Sequence, residues 1–520
     1  ISKNNSKMKR IIALSVILGS LGSIFAQAAE PSEPIRNIVL QETAIRNSLW
    51  YGSSSAAGLA FKPYGLFNTL SFDYDGEFGE YRKLSAGKSS SDISVGTSGA
   101  AYVGKFLTTG GFSFKNIFEK DALYNVLMYE LEDNMPYYPI DDKSSGWNKQ
   151  EYLLNAGLSS PILWDMVSFG IKVDYTTKVG AKQLDPRGET YKYGIIVTPS
   201  VAVRLGRSLI GLSGTYSNGF ERGTVSNNNH WIDPKVWQHR GLGESTQNKV
   251  GGNDGMKTHI YNTQRFGGAL QYSLSESLFI EASFEHRTTM GKENPKLPKR
   301  LGSIKENDIN VDAAWLFGKD GSNKLSFNAS CSLTDGIEYV QKLNTTAYQQ
   351  EWMVLSENNM STFTGVNAHL TYDHIFGASD PRGYDWKVGG EAKFEMFGQS
   401  YLAPASTSNA MRLYAGALAD KHFKMKKSSL LVGIHAGYAL GLGEGYKCLS
   451  AKAYPAPIAM MNEQSDWLNA SYVKAGGRVD WTITSGSKVN WVLGGKVSYI
   501  GALDLNKSRI VCSATFGILF

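Results

Sequence analysis

One segment of the sequence carries side chains suited to holding a metal ion or a haem group. It spans residues 220–257 and contains the run NNNHWIDPKVWQH. Imidazole is a frequent ligand of transition metals and of haem iron, but the two histidines of this run are nine residues apart, which is not a tight ligand spacing. The alternative is an ordered surface loop packed by its own tryptophans. The candidate loop residues for ligand binding are His230, Trp231, Trp237 and His239.

Charged side chains recur at alternate positions along several segments, and they form the second group of candidates. Asp308 and Asp312, for example, alternate with Ile309 and Val311. Both signs of charge occur, which is typical of a water-filled or plugged polar interior, whereas ion selectivity needs a ring of one sign. The alternative is a ladder of salt bridges that stiffens the wall. The candidate lumen-lining residues are Glu281, Glu285, Asp308, Asp312, Glu391, Lys393, Arg412 and Arg478.

The sequence gives little support to catalysis. It contains no G-x-S-x-G, H-E-x-x-H, P-loop or C-x-x-C motif, although barrel enzymes can assemble a site from separate strands. We therefore expect no enzymatic activity, no catalytic residue, no metal and no cofactor. A barrel enzyme ranks third among the functional hypotheses, after the two given below. Three cysteines cannot all pair and give no disulfide framework. The formal net charge of +6 gives no electrostatic argument for a nucleic-acid partner.

The elements that must position these residues are long segments with period-two alternation. Val167, Phe169 and Ile171 alternate with Ser168 and Gly170, and similar segments recur to the end of the chain. Period two indicates strands with one apolar and one polar face. A soluble sandwich would give the same local pattern, but its strands usually have about 5–6 residues. The segments here reach the roughly 9–11 residues that a tilted strand needs to cross a bilayer.

The connections between these segments alternate between short and long. Every second connection between consecutive strands is a tight turn. The other connections are mostly longer, as at 119–148, 220–257, 343–361 and 442–466. Outer-membrane barrels alternate short periplasmic turns with longer extracellular loops. The sequence therefore predicts an all-β fold, a transmembrane antiparallel up-and-down β-barrel of about 18 strands, with 14 or 16 as the alternatives. A closed barrel leaves no sheet edge unpaired in lipid.

The chain divides into three parts. Residues 8–28 have a basic start, an apolar run and small residues at Ala26 and Ala28, which is the pattern of a secretory signal peptide; a single membrane anchor is the alternative. We assign 1–28 to the signal peptide with an upstream extension, 29–64 to a short, partly helical segment that is either a periplasmic linker or a plug, and 65–520 to the barrel.

Two short stretches resemble parts of known outer-membrane barrels. Phe516, Ile518 and Phe520 resemble the C-terminal aromatic signal that the barrel assembly machinery reads. The run SSSAAGLA at 53–60 resembles the entry to the first strand in long-chain-fatty-acid transporter-like barrels, although the usual Asn-Pro is missing. In that family the preceding segment folds into the lumen as a plug, so the resemblance implies the same for residues 29–64.

The chain as a whole resembles an uncharacterised outer-membrane barrel family of the Bacteroidota, some of whose members lie beside TonB-dependent receptors for iron or haem. We expect a location in the outer membrane of a Gram-negative bacterium, in contact with its lipid. The first functional hypothesis is a porin-like channel or transporter for a small solute. The alternative is a non-channel barrel that binds a ligand or a partner through its extracellular loops, for example as an accessory of a TonB-dependent receptor.

Overall fold

The computed structural model describes nine stretches of the chain. They are residues 34–61, 65–128, 134–229, 231–250, 255–256, 258–346, 349–449, 454–486 and 488–520. The predicted signal peptide at 1–28 lies outside the described residues. Among the helices within these stretches, none is long and apolar enough to span a membrane.

The described chain consists almost entirely of antiparallel strands. Two helices, α1 (Ile38–Asn47) and α2 (Pro455–Asn469), and two 3-10 turns (Ala57–Ala60 and Lys319–Gly321) accompany them. The strands are β1 Phe67–Gly79, β2 Ser89–Val103, β3 Phe106–Ala122, β4 Pro139–Ile140, β5 Ser145–Ser159, β6 Val167–Lys182, β7 Arg187–Leu205, β8 Ser208–Ser226, β9 Val236–Gly241, β10 Glu244–Asn248, β11 His259–Leu274, β12 Leu278–Glu293, β13 Lys299–Phe317, β14 Asn323–Asn344, β15 Glu351–Phe376, β16 Trp386–Tyr401, β17 Ser406–Lys424, β18 Ser428–Gly441, β19 Gly445–Cys448, β20 Tyr472–Thr484, β21 Asn490–Ala502 and β22 Lys507–Leu519.

Eighteen of these strands form a closed barrel, which confirms the predicted fold class and strand number. Each wall strand pairs with the next in the sequence, and β1 closes the ring by pairing with both β2 and β22. Asp73, for example, lies opposite Ser94 on one side and Thr515 on the other. Strands β4, β9 and β10 form a separate three-stranded sheet, and β19 pairs with the start of β17.

The outer surface of the barrel carries an apolar belt with aromatic residues at both rims. Phe266, Leu270 and Phe284 are among its exposed residues, Tyr191 and Tyr499 lie toward the long-loop end, and Trp386 and Trp481 lie toward the short-turn end. Such a belt between aromatic girdles matches the lipid-facing surface of outer-membrane barrels. The protein is therefore a β-barrel of the outer membrane of a Gram-negative bacterium.

Several connections predicted as long loops are strand in the structure. Strands β14 and β15 continue far past the belt and are joined by residues 345–350 alone, so most of the predicted loop 343–361 is a protruding hairpin. Both faces of a strand meet water beyond the membrane, and the alternation that marks a strand in the sequence fades there. Long connections remain at 123–144, 227–258 and 442–471.

Helix α2 lies in the last of these connections and was missed by the sequence analysis. It ends at Asn469, shortly before strand β20 begins at Tyr472. Pro455 at its first position is a known helix-start signal. The signal was overlooked because a helix was not expected between two barrel strands.

We expect the two faces of one strand to respond oppositely to a new charge. Leu370 points to lipid and Asn367, on the same strand, points to the lumen. Leu370→Lys should lower the free energy of unfolding in lipid vesicles by about 2–4 kcal/mol, because a charge is placed in the hydrocarbon region. Asn367→Lys, the matched control, should change it by less than about 1 kcal/mol. Equal losses in a denaturant titration would contradict the assigned faces.

Candidate functional site

Residues 34–61 lie inside the barrel at its short-turn end, and we call them the plug segment. Their polar contacts reach inward-facing residues of strands all around the wall: Ser159, Lys172, Ser200, Ser213, Ser273, Glu281, Lys324, Asp373, Lys387, Ser429, Arg478 and Asn490. A segment that touches the inner face of so many strands must occupy the lumen. The plug segment therefore covers the periplasmic mouth.

Helix α1 of the plug segment is joined to the wall by ion pairs. Glu42 contacts the ammonium of Lys387 and, at 3.3 Å, the guanidinium of Arg478. Both cations also contact Asp420, at 3.1 Å from Lys387 and 2.6 Å from Arg478. Two acids and two bases thus form one network across the interface between plug and wall.

Asn37 begins the helix, because its side-chain oxygen accepts hydrogen bonds from the first free backbone N–H groups.

A second ionic contact lies one helical turn further along α1. Arg46 is buried, with 8% of its side chain exposed, and its Nε donates to Asp373 at 2.5 Å. Its Nη1 donates to the carbonyl oxygen of Gly321 at 2.8 Å. Removing one partner of a buried ion pair costs about 3–5 kcal/mol, because the other charge stays desolvated and unpaired. Glu42 and Arg46 are therefore the main electrostatic anchors of α1.

The rest of the plug segment packs through an apolar cluster. Trp50 is buried, donates from Nε1 to Ser273 at 3.0 Å, and packs edge-on against Phe279 with 5.1 Å between ring centroids. Gly58 faces the Trp50 ring so closely that an added Cβ would lie 1.9 Å from a ring carbon. Only glycine fits there, which shows how tightly residues 50–61 fill this side of the mouth.

The opposite end of the lumen is covered by what we call the outer cap, formed by residues 123–128, 134–144, 236–250 and 454–469. Their buried side chains form one hydrophobic cluster, and the small sheet of β4, β9 and β10 lies within it. The main contributors are Tyr137, Tyr138, Ile140, Val236, Trp237, Leu242, Met460 and Met461. The inner mouth is thus anchored largely by polar contacts and the outer end by an apolar core.

The structure does not bring the four candidate loop residues together. His230 lies outside the described residues. Trp231 is 97% exposed at the tip of the loop, whereas Trp237 and His239 are buried in the outer cap. His239 uses both ring nitrogens: Nδ1 donates to the carbonyl oxygen of Pro136 at 2.9 Å, and Nε2 accepts from the N–H of Gly243 at 3.2 Å. In this arrangement it joins two cap segments and has no nitrogen left for a metal ion.

The eight candidate lumen residues face inward but lie in four places. Arg478 belongs to the plug network, and Arg412 donates to the carbonyl oxygen of Leu468 at 2.7 Å, under α2 of the cap. Glu391 forms contacts of 3.1 Å with both Lys393 and His369 on the wall. The remaining acids, Glu281, Glu285, Asp308 and Asp312, lie on the adjacent strands β12 and β13.

A polar cavity of about 270 Å³, which we call the chamber, opens between these two strands and the plug segment. Glu281, Glu285 and Asp312 line it, together with Ser54 of the plug segment. The N–H of Ser54 donates to both carboxylate oxygens of Glu281, at 3.2 and 3.3 Å. The chamber and the plug segment therefore share a hydrogen bond.

Glu42, Arg46 and Ser54 are the residues that sequence reasoning missed. Glu42 and Arg46 lie four positions apart, which places them on one helix face, and this spacing was the only available signal. Their partners Asp373, Asp420 and Lys387 come from distant strands, so the pairing depends on the closed barrel.

Sequence and structure comparisons place the chain among other proteins. The model of a family of unknown function, DUF6850, matches residues 56–520. The chain belongs to this family. No curated protein matches its sequence.

Several solved outer-membrane structures are similar in fold at low sequence identity. The siderophore receptor PiuA of Acinetobacter baumannii has 8% identity and a TM-score of 0.42, over 87% of this chain and 82% of its own. The outer-membrane transporter YddB of Escherichia coli has 8% identity and a TM-score of 0.40, over 84% of this chain and 68% of its own. The ferric yersiniabactin uptake receptor FyuA of Yersinia pestis has 7% identity and a TM-score of 0.38, over 87% of this chain and 80% of its own.

We expect the outer cap of this family member to loosen in acid. Burial lowers the pKa of His239 to about 4 from its ordinary 6.5, so the opened cap binds the proton more tightly than the closed one. The stability that neutral His239 contributes is complete above about pH 6.5 and is lost as the pH falls toward 4. Between pH 7 and 4.5, amide exchange of residues 134–140 and 236–248, corrected for intrinsic rates, should accelerate at least tenfold more in the unmodified protein than in a variant that lacks the His239 imidazole.

The matched control is His239→Gln, which cannot gain a proton and keeps one donor and one acceptor. Burial raises the pKa of Asp141 in the same cap, and this acts in the opposite sense because the closed cap then holds the proton more tightly. Since both proteins contain Asp141, their difference isolates His239. Equal pH dependence in the two proteins would rule out this role of His239.

Proposed function

We propose that the protein is a gated outer-membrane transporter for a small polar solute. The observation that carries this proposal is the plug segment, which is held across the periplasmic mouth by reversible ionic and hydrogen-bonded contacts. An 18-stranded barrel is wide enough to hold an aqueous path once its lumen is cleared. A permanently open, porin-like channel is less well supported, because chain segments cover both ends of the lumen.

The chemistry of the anchors supports movement of the plug segment over a purely structural filling. The Glu42 contacts involve carboxylates and cations that are partly exposed to the lumen, where water and salt can replace each partner. Apolar packing around Trp50 holds residues 49–61 as well, so the exchangeable ionic contacts are those of helix α1. The proposed role is non-enzymatic.

The polar chamber limits the class of solute. Carboxylates, amides and hydroxyls line it, and burying an acyl chain against such groups would leave them without hydrogen-bond partners. A fatty acid is therefore not the proposed solute, even though residues 53–60 resemble the entry segment of fatty-acid transporters. An origin in the Bacteroidota and a partnership with a TonB-dependent receptor stay predictions.

Releasing the plug segment should open the barrel. We expect the pure protein to conduct little in a planar bilayer. The double variant Glu42→Gln/Arg46→Gln should raise the open fraction at least tenfold, because its two changes remove the ion pairs that join helix α1 to the wall, including the one made by the buried guanidinium of Arg46. Deletion of residues 34–61 should open the barrel further.

The control for this experiment is Glu80→Gln. It breaks an exposed ion pair, Glu80–Lys88 at 2.7 Å, far from the plug segment, and it should conduct like the unmodified protein. Heat-modifiable migration on a gel verifies that each variant is folded. Because the outer cap covers the other end of the lumen, both plug variants are also measured with residues 236–250 deleted; if they remain silent while folded in that background too, the barrel is not gated by this segment.

A second candidate function is capture of a ligand or partner at the outer surface. It is favoured by Trp231, whose near-complete exposure is unusual for a tryptophan. Its loop is anchored to a neighbouring turn, since Asp185 accepts from the N–H groups of Asn228 and Asn229 at 3.1 and 3.0 Å. An ordered, exposed aromatic residue is typical of binding surfaces.

Trp231→Ala should then reduce the amount of partner recovered from cross-linked outer membranes at least fivefold, without changing the barrel. Trp164→Ala is the matched control, because Trp164 is 80% exposed at the opposite, short-turn end. Recovery that is the same for Trp231→Ala, Trp164→Ala and the unmodified protein would remove the case for this second function.

A further inference from the structure

The chamber has a composition that selects for one kind of ligand. Besides Glu281, Glu285 and Asp312, its polar lining consists of the hydroxyls of Ser54, Thr215 and Ser283 and the amides of Asn310 and Asn328. Gly52, Gly268 and Ala269 complete it. Among the described residues, no lysine, arginine or large apolar side chain lines the chamber. A ligand there meets an excess of hydrogen-bond acceptors and three carboxylates, of which Glu285 is paired with Arg265.

The structure leaves part of this acceptor capacity unused. Glu285 contacts Arg265 through Oε2 at 2.8 Å, and Asp312 accepts from Asn328 through Oδ1 at 2.5 Å. No described residue bonds the second oxygen of either carboxylate. Only water or a ligand can satisfy these oxygens, and charge inside a narrow, protein-walled space acts more strongly on a cation than the same charge on an open surface.

The spacing of the acids is unsuited to a bare metal ion. Among the described residues, no group of three or more His, Cys, Asp or Glu side chains is close enough to hold one. Acids that are spread around a cavity of about 270 Å³ instead suit a molecule that spans it. The cavity is just below the roughly 300–1,000 Å³ of pockets for drug-sized ligands, so the molecule must be small.

We infer that the chamber binds a small polyhydroxylated organic cation, of the chemical class of an amino sugar. Its ammonium group pairs with Asp312, which lies opposite Glu281 on the adjacent strand, and its hydroxyls bond the amides and hydroxyls of the wall. This inference rests on the proposed function, since it names the solute that the gated barrel carries.

The same site connects ligand binding to the plug segment. Ser54 holds Glu281 through its N–H, and its Oγ contacts Ser213 at 2.7 Å and accepts from Gln271 at 2.8 Å. A cation that reaches Glu281 competes with the N–H of Ser54 for the carboxylate. Occupation of the chamber thus weakens one of the contacts that hold the plug segment.

Glucosamine and glucose are a suitable pair of probes, because they share one ring and differ by an ammonium group in place of a hydroxyl. Calorimetric titration of the folded full-length barrel, at low salt, should show glucosamine binding at least tenfold more tightly than glucose. The titration is run on the unmodified protein and on Glu42→Gln/Arg46→Gln, so that a closed plug cannot hide the chamber.

The double variant Glu285→Gln/Asp312→Asn should abolish the preference for glucosamine. Asp92→Asn, which removes a lumen-facing carboxylate of β2 near Lys115, should keep it. Equal binding of the two sugars, or binding of neither by either barrel, overturns the inference, as does an unchanged preference in the double variant.

Failure of this inference is distinguishable from failure of the proposed function. Conductance of the plug variants without a preference for glucosamine would leave a gated transporter with a different solute. A preference for glucosamine in barrels that never conduct would leave a binding chamber in a barrel that is not gated by the plug segment.

Discussion

Backbone hydrogen bonding in lipid is the constraint on which the rest of this structure depends. An amide or carbonyl group without a partner in the hydrocarbon region costs several kcal/mol, so a sheet that crosses the membrane has to close. Here the last strand returns to the first, with Phe72 opposite both Val95 and Phe516. Closure fixes which residues face lipid and which face inward, and it fixes the distance across the lumen that the remaining chain must fill.

The interior of an 18-stranded cylinder is too wide for the wall side chains to fill, and this chain fills its two ends by different means. At the inner end, a short helix is anchored by Glu42 and Arg46, and the turns that follow it bond serines of the wall. At the outer end, loops bury tyrosines, a tryptophan and methionines in an apolar core. Salt screens the partly exposed ion pairs of Glu42 most strongly, whereas the apolar contacts around Trp50 and in the outer cap hardly respond to it.

The wall could be predicted from the sequence, whereas the contacts that hold the segments in the lumen could not. Alternation of Val167, Phe169 and Ile171 with polar or small residues predicts a strand, and β6 lies there, because one face meets lipid and the other meets polar groups over the whole crossing. That rule ends at the membrane surface, which is why the continuation of β14 and β15 was assigned to a loop. The burial of Trp237 and His239, beside an exposed Trp231, depends on contacts with residues about a hundred positions away, such as Pro136, and no local pattern records them.

The chamber shows how a lumen site can depend on both wall and plug. Glu281 is held in place by the backbone of Ser54, and Ser54 is held by Ser213 and Gln271. Gln271 and the ring of Trp50 lie side by side, since both would contact a Cβ added at Gly211, and Trp50 fills the mouth beside the chamber. Movement of the plug segment therefore changes the shape and the charge of the chamber, and a ligand in the chamber changes the stability of the plug segment. Because such coupling is reciprocal in free energy, a solute that binds the chamber better when the plug segment is displaced also favours its displacement.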